Sequence, residues 1–183
     1  MNKLLLALLL FLLSFSWIKV TASDSCPAAF PWKAQWINTE RCQSATNTWL
    51  IYRKSFAVRD VPNQLIARIA ADSKYWLWIN DQLVVFEGGL KRGPSPSGTY
   101  YDPVDIAPYL TKGSNTIAIL LWHFGKDGFS HINSGKAALL FEAIAPGLEI
   151  VSDASWQCAL YEAYQNTEAP FPNYRMPESN IRF

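Results

Sequence analysis

The sequence predicts an all-β protein, an antiparallel β-sandwich that follows a cleaved signal peptide, and three observations carry that expectation. From Thr48 to Ala145 the chain is a succession of short runs rich in β-branched and aromatic residues, each bounded by turn residues. No apolar stripe at helical spacing runs for ten residues or more in competition with them. Seven of the nine glycines (Gly88, Gly89, Gly93, Gly98, Gly125, Gly128, Gly135) fall in two connections, so glycine is expected to shape loops and not to interrupt strands.

The first segment, residues 1–22, reads as a secretory signal. Lys3 supplies a short basic region, Leu4–Phe15 an apolar run, and Val20-Thr21-Ala22 the small residues before a cut after Ala22. A retained membrane helix is the alternative, but the apolar run is well short of the roughly 20 residues that a span needs. Cys26 follows Ser23-Asp24-Ser25, where a lipoprotein signal would want an apolar residue and then small ones, which argues against a lipid anchor. The expected product is secreted or periplasmic.

Cleavage removes Lys3 and Lys19 and no acid, leaving 161 residues with 14 basic and 15 acidic side chains. That balance has no nucleic-acid footprint, and the length fits one domain, expected over 23–164, with extra chain at its ends. Cys26, Cys42 and Cys158 all remain in an oxidising compartment, so one disulfide with one leftover thiol is the simple arithmetic, and Cys26–Cys42 would close a short N-terminal loop. No CxxC pair or histidine at zinc-finger spacing supports a zinc site.

The strand runs follow in order: Trp49–Val58, Leu65–Ala71, Tyr75–Ile79, Leu83–Phe86, a short Thr99–Val104 segment, Asn115–Phe124, Ala137–Ala145 and Leu148–Ser152, followed by Trp156–Tyr164. Asn80-Asp81 tolerates positive φ and predicts a tight hairpin between the third and fourth. Asp105 is suited to cap a short helical connector that Gly113 ends. Trp76 and Trp78 share one face of their strand, with Tyr75, Leu77 and Ile79 on the other. Such two-sided apolar character means burial under a covering element, or else an exposed aromatic platform. Residues 165–183, with Pro170, Pro172 and Pro177 and no periodic pattern, read as an extended tail or linker.

Alternating strand direction gathers three connections at one end: Asp72–Lys74, Glu87–Gly98 and Gly125–Gly135. That rim brings the stretch WHFGKDGFSHINSGK, which holds both histidines, beside Lys91 and Arg92. A hydrolase based on Ser130 and His131 is unfavoured, because adjacent side chains on extended chain point opposite ways and no G-x-S-x-G elbow is present. His123, at a strand end, reads as a half-buried residue with a satisfied ring nitrogen. Sugar recognition fits the loop better: Lys126, Asp127 and His131 offer hydrogen bonds to hydroxyls, and Trp122 or Phe129 an aromatic face for a ring. The competing reading is that these side chains order the loop or dock a neighbouring domain. Lys91-Arg92 would clamp an acidic sugar or form a solvated or interdomain ion pair. Asp72, Asp102, Asp105 and Asp127 raise calcium as a cofactor, against which stand the capping role of Asp105 and the turn position of Asp102 before Pro103.

The runs KSFAV, LIARIAADSKYWLWINDQLV, GGLKRGPSPSGTYYDPVDIAPYLTKGSNTIAILLWHFGKDGFSH and SGKAALLFEA together resemble the N-terminal β-sandwich region of secreted bacterial α-L-rhamnosidases, a galactose-binding-like jelly roll. INDQ stands where such domains usually have Asn-Gly. The resemblance covers roughly residues 30–183. It implies a multidomain glycoside hydrolase whose helical toroid, downstream, carries the catalytic carboxylates. This chain is expected to end before that toroid, so no catalytic residue carries over. The function implied is that of a non-catalytic accessory sandwich, supporting degradation of rhamnose-containing plant glycans by sugar binding or by docking to the catalytic domain. A stand-alone carbohydrate-binding module is the alternative.

Overall fold

The computed structural model describes residues 31–39, 46–90, 99–128, 131–166 and 179–181. The signal segment, Cys26, Cys42, Lys91, Arg92, Phe129 and Ser130 lie outside the described residues.

Eleven strands are described: β1 (Thr48–Val58), β2 (Ile66–Ala71), β3 (Lys74–Ile79), β4 (Gln82–Gly89), β5 (Asp102–Asp105), β6 (Gly113–His123), β7 (Leu139–Ala145), β8 (Leu148–Val151), β9 (Gln157–Leu160), β10 (Tyr164–Asn166) and β11 (Ser179–Ile181). Two antiparallel sheets face each other, one in the order β4-β3-β6-β1-β9 and the other β5-β2-β7-β8, with β10-β11 as a separate ribbon. This is the β-sandwich that the strand-like runs predict.

Alternation along the strands decides what lies between the sheets. Leu50 and Tyr52 of β1, Leu77 and Ile79 of β3, and Ile117, Ile119 and Leu121 of β6 point inward from one sheet. Ile69 of β2, Phe141 of β7 and Ile150 of β8 meet them from the other. The helical connector is a single 3-10 turn, Ala107–Tyr109, whose first amide is held by Asp105 Oδ1 at 3.1 Å. Asn80 and Asp81 both take positive φ, 47° and 65°, and close the β3–β4 hairpin.

Two details differ from the sequence expectation. Gly88 and Gly89 lie in β4, paired with Tyr75 and Lys74, and not in a loop. A Cβ on Gly88 would stand 2.4 Å from Tyr75 Cζ, so this strand position needs glycine to admit the phenol ring. Beyond Asn166, where the sequence reads as an extended tail or linker, the described residues 179–181 form β11, which pairs with β10.

The outer faces of the two sheets are treated differently. Residues 32–37 cross the outer face of the four-stranded sheet. There Ala34 packs on Ala70 and Leu140, and Glu142 takes the amides of Lys33 and Ala34 at 2.6 and 3.1 Å while pairing with Arg68. The Arg68 guanidinium also lies 4.2 Å above the Trp32 ring. On the five-stranded sheet, Trp49 is stacked against Trp122, Trp76 and Tyr164 at centroid distances of 4.6, 5.6 and 4.2 Å. Further along that same face Ile51 and Arg53 are exposed. Trp76 and Trp78 are thus half-buried on the outer face, covered only in part.

Candidate functional site

Hydrogen bonds tie the predicted rim connections together. Leu90 N donates to Ser73 O at 2.7 Å, and Ser134 N donates to Asp72 Oδ2 at 2.7 Å. The link between β2 and β3 is only Asp72-Ser73, and its side chains point into the protein. Asp72, Ser73, His123 and His131 are exposed by 6, 0, 0 and 5%, so this is an internal polar cluster in a β-sandwich.

Its geometry follows from the need to satisfy a buried carboxylate. Asp72 Oδ1 accepts from Ser73 Oγ at 2.7 Å and faces His131 Nε2 at 3.0 Å. His131 Nε2 is also 3.2 Å from Ser73 Oγ. A ring nitrogen set against a carboxylate oxygen carries its proton, which defines the His131 tautomer as Nε2–H. His123 Nδ1 donates to the Asp72 carbonyl at 3.0 Å and lies 3.5 Å from Oδ1. Ser73 Oγ accepts Phe124 N at 3.1 Å. Burial opposes ionisation of Asp72, but hydrogen bonds from His123, His131, Ser134 and Ser73 outweigh it and hold the carboxyl far below the usual carboxylate range. On His123, Nε2 is buried with no hydrogen-bond partner among the described residues, so this ring is fully buried and satisfied on one nitrogen only.

Chemically this arrangement pins the rim loop. Serine and carboxylate both face the same nitrogen of His131, so the imidazole does not relay a proton between them as a hydrolytic triad requires. A glycosidase needs two carboxyl groups on either side of an accessible bond, and Asp72 is enclosed.

The rim residues proposed from sequence separate into distinct environments. Trp122 and His123 are neighbours on β6 and point to opposite faces. Trp122 is half-buried on the outer face, with Nε1 donating to Asn47 Oδ1 at 2.7 Å and its ring edge-on to Phe124. His131 joins the buried cluster. Asp127 is exposed and accepts Asn133 N at 2.8 Å, while Lys126 is half-buried nearby in the chain. The four aspartates considered for calcium have separate tasks. Asp102 Oδ2 accepts Tyr75 OH at 3.0 Å and Gly89 N at 2.8 Å, and Asp105 Oδ1 accepts Leu65 N at 3.0 Å as well as Ala107 N. Among the described residues, no group of three or more His, Cys, Asp or Glu side chains is arranged to hold a metal ion.

Sequence reasoning overlooked Ser73, whose only signal is a polar pair wedged between two apolar strands. It also overlooked Arg53 and Gln157. They lie with Trp78 in a groove of about 450 Å³ on the outer face of the five-stranded sheet.

No family model and no curated protein matches the chain. Among solved structures, the chain is similar to a GH78 family rhamnosidase of Bacillus sp. GL1 at 29% identity and a TM-score of 0.69, over 82% of this chain and 16% of that one. An α-L-rhamnosidase from Aspergillus terreus aligns at 24% identity and a TM-score of 0.56, over 70% and 17% of the two chains. The Streptomyces avermitilis α-L-rhamnosidase complexed with L-rhamnose aligns at 18% and 0.53, over 81% and 14%. The last two show a shared fold alone. The chain therefore spans less than a fifth of the length of these enzymes and is similar to one domain of an α-L-rhamnosidase.

Proposed function

We propose that the protein is a non-catalytic accessory β-sandwich of an α-L-rhamnosidase-like glycoside hydrolase. The observation that carries this reading is the alignment of 82% of the chain with only 16% of the Bacillus sp. GL1 rhamnosidase. The buried Asp72 cluster supports it, because the acid, imidazole and hydroxyl that could do chemistry on the rim are enclosed and already bonded to one another. In this reading the sandwich assists breakdown of rhamnose-containing glycans by docking to the catalytic part of such an enzyme.

Export belongs to the proposal and is supported by Lys3, Leu4–Phe15 and Val20-Thr21-Ala22. The intact mass of the protein recovered from outside the cytoplasm should correspond to a chain beginning at Ser23. The functional test is an assay of the purified chain on an aryl α-L-rhamnoside. No release of rhamnose is expected, and turnover that co-purifies with the chain would overturn the reading.

A second reading, a stand-alone carbohydrate-binding module with its site on the rim, is favoured by the exposed Asp127 beside half-buried Lys126. Calorimetric titration with L-rhamnose and rhamnose oligosaccharides, with and without calcium, tests it. Saturable heat lost in Trp122→Ala or Asp127→Ala would support a rim site, and a folded sample giving no heat would leave docking.

A further inference from the structure

The outer face of the five-stranded sheet carries a row that includes Trp78, Arg53 and Gln157, whose binding groups are not used by the described residues. Register defines it. Trp78 on β3 stands opposite Ala118 on β6, Ala118 opposite Arg53 on β1, and Arg53 opposite Gln157 on β9. Directly paired residues point to the same side, so the four form one line across four strands, roughly 14 Å long at the usual inter-strand spacing of about 4.8 Å. The adjacent row is apolar and smaller at its outer end, Leu120, Ile51 and Ala159. Together the rows make the floor of the groove, with Tyr161 on its far side.

Three groups in this groove are uncommitted among the described residues. Trp49, Trp76 and Trp122 are stacked on aromatic neighbours, whereas the Trp78 ring stacks on none of the described side chains. The Arg53 guanidinium has no carboxylate partner, and the Gln157 amide no hydrogen-bond partner, although both are exposed beside an apolar floor. Among the described residues Arg53 is also the only charged one lining the groove, and it brings a positive charge with no described counter-charge beside it. At about 450 Å³ the space is that of a small-molecule site.

We propose that this groove binds an oligosaccharide containing a uronate. Such a ring has an apolar face for Trp78, hydroxyls for the Gln157 amide, and a carboxylate that matches the planar fork of Arg53. Ala118 and Ala159 leave the floor flat enough for a ring to lie on. A simple carboxylate would use Arg53 and leave the aromatic wall bare, and a neutral sugar would leave the guanidinium without its counter-charge. The site lies on the sheet and not on the glycine-rich rim. It does not depend on the accessory role, since uronate binding and rhamnoside turnover are measured separately.

The experiment is calorimetric titration of the purified chain with a galacturonate trimer and with its methyl ester, in parallel with Arg53→Ala, Arg53→Lys and Trp78→Ala variants checked for folding by thermal melts. The acidic trimer should bind saturably, and esterification should weaken binding at least tenfold. Arg53→Ala should cause the same loss and be insensitive to esterification, Arg53→Lys should lie between, and Trp78→Ala should abolish binding of both ligands. A folded chain that gives no saturable heat overturns the proposal. So does equal binding by Arg53→Ala, or equal competition by a glutamate oligopeptide, which would make the groove a peptide site.

Discussion

Replacing Asp72 by alanine removes the acceptor around which the rim loop is organised, and the structure sets the size of the effect. The carboxylate takes Ser73 Oγ and Ser134 N at 2.7 Å and His131 Nε2 at 3.0 Å. A hydrogen bond to a charged group contributes about 1.5–3 kcal/mol, but bonds to a shared acceptor do not add. The substitution leaves three donors without this acceptor, and a buried donor left unsatisfied costs about 1–3 kcal/mol, which is the better guide here. Asp72→Ala should therefore destabilise the fold by about 4 kcal/mol at pH 7. At about 2–4 °C per kcal/mol for a domain of this size, Tm should fall by roughly 8–16 °C. Urea and thermal denaturation measure both. The sign of the pH dependence follows from the same geometry. The folded carboxyl sits below its ordinary value of 3.8, so the unfolded chain takes up the proton first as acid is added. The contribution of Asp72 is complete at neutral pH and is lost as pH falls below about 4. The gap between wild type and Asp72→Ala should narrow from about pH 5 downward. A variant within 1 kcal/mol of wild type at pH 7, or a gap unchanged by acid, would refute the assignment of Asp72 as the pin of this rim.

Three other substitutions probe separate parts of the sandwich. Asp81 holds φ 65° in the β3–β4 turn without being glycine, so Asp81→Gly should raise stability by about 0.5–1 kcal/mol in urea melts. Glu142→Ala removes the acceptor for Lys33 N and Ala34 N and the carboxylate that pairs with Arg68. Hydrogen exchange at Gln35 and Ile37, whose amides bond Ser152 O and Leu139 O, should accelerate far more than exchange at Leu121 in the centre of the sheet. Gly88→Ala places a methyl inside the Tyr75 ring and should cost about 1–3 kcal/mol. It should also bring the Tyr75 phenol back toward its ordinary range, detectable by ultraviolet titration, because burial and then Asp102 now hold that phenol strongly raised.

The architecture was legible because strand patterning is local. Alternating apolar residues in Tyr75–Ile79 and Asn115–Phe124, with Asn80-Asp81 between strands, state both the period and the turn chemistry. The gathering of Asp72, Leu90 and Ser134 at one rim also followed from strand direction alone. Gly88 and Gly89 were harder to place. Their role depends on the Tyr75 ring across the hairpin, and a glycine that admits a neighbouring ring has the same letter as one that turns a loop.

The all-β class, the hairpin and a rim rich in polar side chains are written in local patterns of residues. Which of those side chains face inward depends on how the two sheets pack. Neighbouring positions on β6 send Trp122 to the outer face and His123 to the interior, and the second sheet encloses His131 with Asp72. The same packing decided which surface the described residues leave open. Residues 32–37 cover one sheet, whereas the row of Trp78, Ala118, Arg53 and Gln157 comes together from four strands separated by as many as 104 residues of chain. Such a juxtaposition is set by cross-strand register, and register is a property of paired strands that no single run of residues contains.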